Sequence, residues 1–198
     1  MKVVSATANP HKLDEMRAIF GDRIELVSRP QGLAEVAEDA NTFVGNARLK
    51  AISVCEATGQ VALADDSGLE VDALGGEPGV NSAYYGGGDH DDGANRDRLL
   101  RELSGSTTDR AARFRTVVVL RWPSGEELVA EGACEGTIGL EARGDNGFGY
   151  DPLFIPNDGD GRTFGEHSPA EKNALSHRRR ACLALLSALD ASEAVSEG

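Results

Sequence analysis

With 198 residues, 40% of them hydrophobic and 27% charged, the chain is long enough to bury one sizeable core and has the composition of an ordinary globular protein. Its net charge of −13 excludes a broad nucleic-acid surface, because sequence-independent affinity for a phosphate polymer comes from clustered Lys and Arg. A single nucleotide is not excluded, since a few converging cations and a metal can hold one small polyanion.

The start, Met1-Lys2-Val3-Val4-Ser5-Ala6-Thr7, lacks the long apolar region of a signal peptide, and no stretch is long enough to span a bilayer, so a soluble, cytoplasmic protein without membrane contact is expected. Cys55, Cys134 and Cys182 are odd in number and far apart, which argues against a disulfide framework or a zinc site and for small buried hydrophobes. Lys2, Lys12, Lys50 and Lys172 are the only lysines among twenty basic residues, which suggests a genome that writes surface positive charge as Arg and draws attention to lysine where a compact point charge is wanted.

Residues 2–7 predict a short strand, and Leu13, Met16, Ile19 and Phe20 predict a helix that ends at Gly21. Asn9 is placed to cap that helix, with Pro10 at its first position, so Thr7 to Lys12 lie where backbone N–H groups and the helix dipole favour an anion. A well-capped helix without a ligand accounts for the same residues. Residues 24–28 read as a strand and 29–40 as a loop carrying Glu35, Glu38 and Asp39. A helix capped by Asn41 or Thr42 follows, with Phe43, Ala47, Ala51 and Val54 on its buried face and Asn46 and Lys50 side by side one turn apart.

The run from Val61 reads as a buried strand over 61–65 that ends in acids, either delivering its last side chains to a cleft or passing into a solvated Asp-Asp-Ser-Gly turn, before an extended segment 69–74. Adjacent carboxylates repel one another, so the pair calls for water, a cation or a donor network, and Mg²⁺ is the common neutraliser beside phosphates. Residues 81–93 are expected to form a mobile glycine-rich loop, whose Asp89-His90-Asp91-Asp92 cluster is too crowded to face one ion. A helix over 94–103 and a hairpin of 112–120 with 127–132 follow, then a shorter strand starting at 136. Gly147 to Phe154 sets aromatics beside glycines, which suits either base stacking or core filling. Asp158-Gly159-Asp160-Gly161 reads as a hairpin tip, because Arg162 and Thr163 break a calcium-loop pattern. Ser168-Pro169-Ala170-Glu171 is a capping box, and a second helix starting at Ser176 carries an apolar stripe of Ala181, Cys182, Leu185, Leu186 and Leu189. His177, Arg178, Arg179 and Arg180 in its first turn oppose the dipole, which points to an anionic or hydrogen-bonding partner. Residues 190–198 are expected to fray.

Taken together, Thr7-Ala8-Asn9 with Lys12, Thr42-Phe43 with Asn46 and Lys50-Ala51, Ala64 to Leu69, Pro78-Gly79 with Ser82-Ala83, Phe148 to Pro152 and Ser176-His177-Arg178 resemble the non-canonical purine nucleoside triphosphate pyrophosphatase family, the inosine triphosphatases, over nearly the whole chain. The resemblance implies an α/β fold, a single domain over 1–198 with two lobes, a central mixed β-sheet flanked by helices and a nucleotide cleft between the lobes. It also implies a homodimer, Mg²⁺, and hydrolysis of ITP, dITP and XTP to the monophosphate and pyrophosphate.

Carried over to this sequence, Thr7, Ala8, Asn9, Pro10, His11 and Lys12 go to the triphosphate, and Asn46 and Lys50 to the substrate. Glu38 and Asp66 go to the metal, with Asp66 also accepting a proton and Asp65 behind it. Ser67 touches the substrate, and Phe148, Gly149, Tyr150, Asp151, Lys172, His177 and Arg178 go to the base and substrate. The family often has Gly at Ala8 and Glu at Gly45, so a slightly altered phosphate loop is expected. A pyrophosphatase for another modified triphosphate, and a nucleotide-binding module without turnover, stand as the alternatives.

Overall fold

A computed structural model describes every residue except Glu35, Asp89, 106–108 and 197–198. Six strands form one mixed sheet in the order β2-β1-β3-β4-β5-β6. They are β1 (Lys2–Ser5), β2 (Glu25–Val27), β3 (Ala62–Val71), β4 (Ala111–Arg121), β5 (Glu127–Ile138) and β6 (Phe154–Pro156), and the helices are α1 (Pro10–Phe20), α2 (Phe43–Thr58), α3 (Asp92–Leu103), α4 (Pro169–Leu175) and α5 (His177–Ser196). β1 lies parallel to both β2 and β3, as strands joined by crossover helices must, while β6 runs antiparallel to β5.

The chain divides into two compact units. Unit 1 comprises Met1–Asp66, Thr116–Gly132 and Arg178–Gly198, and unit 2 comprises Ser67–Arg115 and Ala133–His177. Each has its own core. In unit 1, Leu13, Met16 and Phe20 of α1 and Ala181, Cys182, Leu185 and Leu189 of α5 pack with Val3, Leu63, Val118 and Leu120. In unit 2, Leu69, Leu99, Phe114, Leu153, Phe154 and Phe164 are among the residues that fill the interior. All three cysteines are free and buried. No described helix is long and apolar enough to cross a membrane.

Several local expectations give way to tertiary structure. Asp65-Asp66-Ser67-Gly68 is no turn: β3 runs through it for ten residues and ends in a 3-10 turn, Asp72–Leu74, where an extended segment was expected. The 81–93 stretch is partly ordered by a 3-10 helix over Gly79–Tyr84, in which the Ser82 hydroxyl accepts from Leu69 N–H and donates to the Gly79 carbonyl. α3 starts at Asp92, because Asp91 caps it by accepting from Ala94 N–H, so part of the acidic cluster is helix-start chemistry. Asp89 of that cluster lies outside the described residues, as does Glu35 of the 29–40 loop. The strand expected from 136 is the end of a single long β5. Asp158 to Gly161 is no hairpin tip, since a 3-10 helix, Phe164–Glu166, follows β6. α5 continues to Ser196, with Leu189 buried and Arg23 paired with Asp190.

Candidate active site

Side chains alternate across a strand, so Asp65 and Asp66 leave β3 on opposite faces. Asp65 shares its face with Leu63, which packs with α1 and α5, and the cations it meets come from those helices. Lys12 Nζ of α1 lies 3.0 Å from Asp65 Oδ2, and Arg178 Nε of α5 lies 3.6 Å from it. Arg178 is 1% exposed and also pairs with Glu15, one turn beyond Lys12. Burial works against the Asp65 charge, but Lys12, Arg178 and Lys50 outweigh it and hold the carboxyl below the usual carboxylate range.

Asp66 meets α2 instead. Lys50 Nζ donates to Asp66 Oδ1 at 2.9 Å and to Glu38 Oε2 at 3.1 Å, so one ammonium bridges two carboxylates. Asn46 donates from Nδ2 to Asp66 Oδ2 at 3.3 Å, while its Oδ1 accepts from Ala40 N–H at 3.0 Å, which ties the Glu38 loop to the same helix. Burial, reinforced by the Glu38 charge, outweighs Lys50 and Lys12 and pushes the Asp66 carboxyl up to about 6. The exposed Glu38 goes the other way, lowered chiefly by Lys50 against its own partial burial. The Lys50 ammonium is held above its ordinary value by Asp66, Asp65 and Glu38 despite its own burial.

At the start of α1 the expected N-cap is present, and it uses the amides that a bound anion would need. Asn9 Oδ1 accepts from the N–H groups of His11 and Lys12, Pro10 has none, and Leu13 N–H goes to the Asn9 carbonyl. Thr7 Oγ1 accepts from Asn9 N–H, and Ala8, Pro10 and His11 are exposed. The cationic group this loop presents is therefore the Lys12 side chain. No described non-glycine residue has a positive φ, so alanine at position 8 costs nothing in backbone strain. Gly45 has a packing reason of its own, because a Cβ there would lie 2.6 Å from Ala40 Cβ and 2.9 Å from Thr42 Oγ1.

Unit 2 gathers most of the remaining candidates around residues 147–151. Asp151 Oδ2 accepts from Phe148 N–H at 2.9 Å and from Lys172 Nζ at 2.6 Å, and that ammonium sits 4.5 Å from the centre of the Phe148 ring. Tyr150 is buried and donates from its hydroxyl to the Ser82 carbonyl at 2.8 Å. Burial raises its pKa above the ordinary tyrosine value. Gly147 admits no side chain, since a Cβ would overlap the Asp151 carboxylate. Ser67 is half-buried on β3. His177 is buried with its ring stacked on Phe114, centroids 4.8 Å apart. His177 thus packs within unit 2 and its neighbour Arg178 within unit 1. Arg178, Glu15, Asp92 and Arg96 all make contacts to candidate site residues. Of these, Glu15 and Arg96 belong to none of the sequence motifs, and Asp92 stands in the sequence only as part of an acidic cluster, while the i, i+3 step from Lys12 to Glu15 on α1 is a usable signal.

A mixed α/β sheet whose central strand presents two carboxylates, each clasped by a lysine, defines a protein equipped to handle cations and phosphates. The chain belongs to the Ham1 family, whose sequence profile matches residues 3–188. It is 47% identical to the dITP/XTP pyrophosphatase of Desulforamulus reducens, over 91% of this chain and 92% of that one. It is 45% identical to the dITP/XTP pyrophosphatase of Caulobacter vibrioides, over 95% and 97% of the two chains. Among solved structures, a HAM1 protein from Coxiella burnetii is similar with a TM-score of 0.87 at 38% identity, covering 96% of this chain and 98% of the other.

Proposed function

We infer that this protein hydrolyses dITP, XTP and ITP to the nucleoside monophosphate and pyrophosphate, removing them from the nucleotide pool. The observation that carries the reading is the Lys50 ammonium shared by Asp66 and Glu38, a paired-carboxylate centre next to a second lysine-held carboxylate. The names of the relatives, dITP/XTP pyrophosphatase, support the substrate class.

The donor set fits Mg²⁺. Glu38 and Asp66 offer hard carboxylate oxygens at a place that already draws a cation, with no thiolate or imidazole among them. Phosphates and water would complete the shell of an ion held by these two carboxylates, as is usual for Mg²⁺. When bound there, Mg²⁺ lowers the pKa of water and screens phosphoryl charge.

Asp66 accepts the proton of the water that attacks the α-phosphorus, and a carboxyl held near neutrality is suited to that task. As the bond between the α-phosphorus and the bridging oxygen breaks, Lys12 and Lys50 hold the charge of the departing pyrophosphate, with Thr7 to His11 and Asn46 flanking them. Asp65 and Arg178 set the position of Lys12, and Ser67 touches the substrate beside Asp66. Phe148, Gly149, Tyr150 and Asp151, with Lys172 and His177, take the base. The C6 oxygen of hypoxanthine or xanthine accepts a hydrogen bond where adenine presents an amino donor, so a cationic donor such as Lys172 favours the first. A homodimer in the cytoplasm is carried into the proposal on the resemblance of the chain to its family.

Turnover of ITP in heavy-oxygen water tests the point of attack. Label in the monophosphate is the expected result. Label in the pyrophosphate, or release of the diphosphate, contradicts the reading.

A further inference from the structure

Residues 147–151 are held within unit 2 from several directions, and two of the grips come from a helix that the base-binding motif does not include. Asp92 opens α3, and its Oδ2 accepts from Gly149 N–H at 2.6 Å. Arg96, one turn later, donates from Nη1 to the Gly149 carbonyl at 2.7 Å. Residues four apart share one face of a helix, so this face of α3 grips both the amide and the carbonyl of a single residue. Both bonds involve an ionised group, the stronger class of hydrogen bond.

Gly149 has a φ of +59°, in the left-handed region, yet a Cβ there would meet nothing within 4 Å. The glycine therefore answers to conformation rather than to space. That kink separates Phe148, whose ring meets Lys172, from Tyr150 and Asp151, whose side chains are anchored elsewhere in the unit. Tyr150 and Asp151 have side-chain anchors of their own, and the peptide that follows the Phe148 ring is held from both sides, its carbonyl by Asp151 N–H and its N–H by Asp92 of α3, with Arg96 holding the next carbonyl.

We propose that Asp92 and Arg96 are positioning residues for base selection: by clamping Gly149 they set the Phe148 ring and its Lys172 partner in the pose that distinguishes one purine from another. The proposal rests on the assignment of the base to residues 148–151.

The test compares kcat/KM for dITP with that for dATP in wild type, Arg96→Ala, Asp92→Ala, the double variant, Arg96→Lys and Phe148→Ala, with thermal melting of each. Loss of a charge-assisted hydrogen bond predicts a fall of about tenfold in the dITP/dATP ratio for Arg96→Ala and for Asp92→Ala. Because both act on one residue, the double variant falls by less than the product of the two, and Arg96→Lys, which can still donate to the carbonyl, restores most of the ratio. A merely structural role would lower the active fraction equally for both nucleotides and leave the ratio unchanged. An unchanged ratio in the α3 variants, with Phe148→Ala altering it, overturns the clamp and leaves the base assignment standing. An unchanged ratio in Phe148→Ala overturns both.

Discussion

Asp65 and Asp66 are chemical twins made unequal by a single step along a strand. The step turns one toward Lys12 and Arg178, which keep it ionised, and the other toward Lys50, Asn46 and Glu38, where burial and a like charge raise its affinity for a proton. Asp66→Asn keeps the shape and removes the proton acceptor, so kcat should fall by about 10²- to 10⁴-fold while nucleotide binding, read by calorimetry, persists. A variant with undiminished turnover would take the base role away from Asp66. The raised pKa also has a sign. The folded protein holds this proton more tightly than the unfolded chain, so the contribution of Asp66 to stability is present below its unfolded value and is lost as pH rises through about 6. Mg²⁺ needs the ionised form, so its binding to the nucleotide-free protein should release close to one proton at about pH 5 and almost none at about pH 8. Calorimetry in two buffers of different ionisation enthalpy counts those protons, and a release that does not change with pH would remove Asp66 from the ligand set.

At the scale of elements, α1, α2, α4 and α5 were legible because their caps and apolar spacing are local. Asn9, Thr42 and Ser168 sit where their side chains accept the first amides of their helices. The middle of β3 was not legible. Asp-Asp-Ser-Gly is good turn chemistry, and the cations that meet it in the extended strand, Lys12, Lys50 and Arg178, come from three different helices. The loop 147–151 shows the same limit. Its glycines and aromatics were visible, but the reason for Gly147 is the Asp151 carboxylate lying against it. Gly147→Ala should displace that carboxylate from Phe148 N–H and Lys172 and raise the KM for dITP several-fold, about 1 kcal/mol in binding, beyond the strain of a positive φ. A KM equal to that of wild type would detach the Asp151 pair from substrate binding.

The whole molecule divides its labour as it divides its cores. Unit 1 holds the carboxylates and lysines suited to phosphate chemistry, and unit 2 holds the aromatic and ion-paired loop assigned to the base. A net charge of −13 leaves a polyanionic substrate to be drawn by local cations rather than by the overall field, and the two lysines at the centre supply them. Changes in the unit 2 loop should therefore alter which nucleotide is used, and changes at Asp66 or Lys50 should alter how fast any of them is cut.

The most direct measurement is turnover across ITP, XTP, dITP, GTP, ATP and dUTP, with inorganic pyrophosphatase converting the product to phosphate for detection. The expected result is a kcat/KM for ITP, XTP and dITP at least about a hundredfold above that for ATP, the scale of discrimination that a site with a placed hydrogen-bond donor can reach. Equal turnover of ATP and ITP would contradict it.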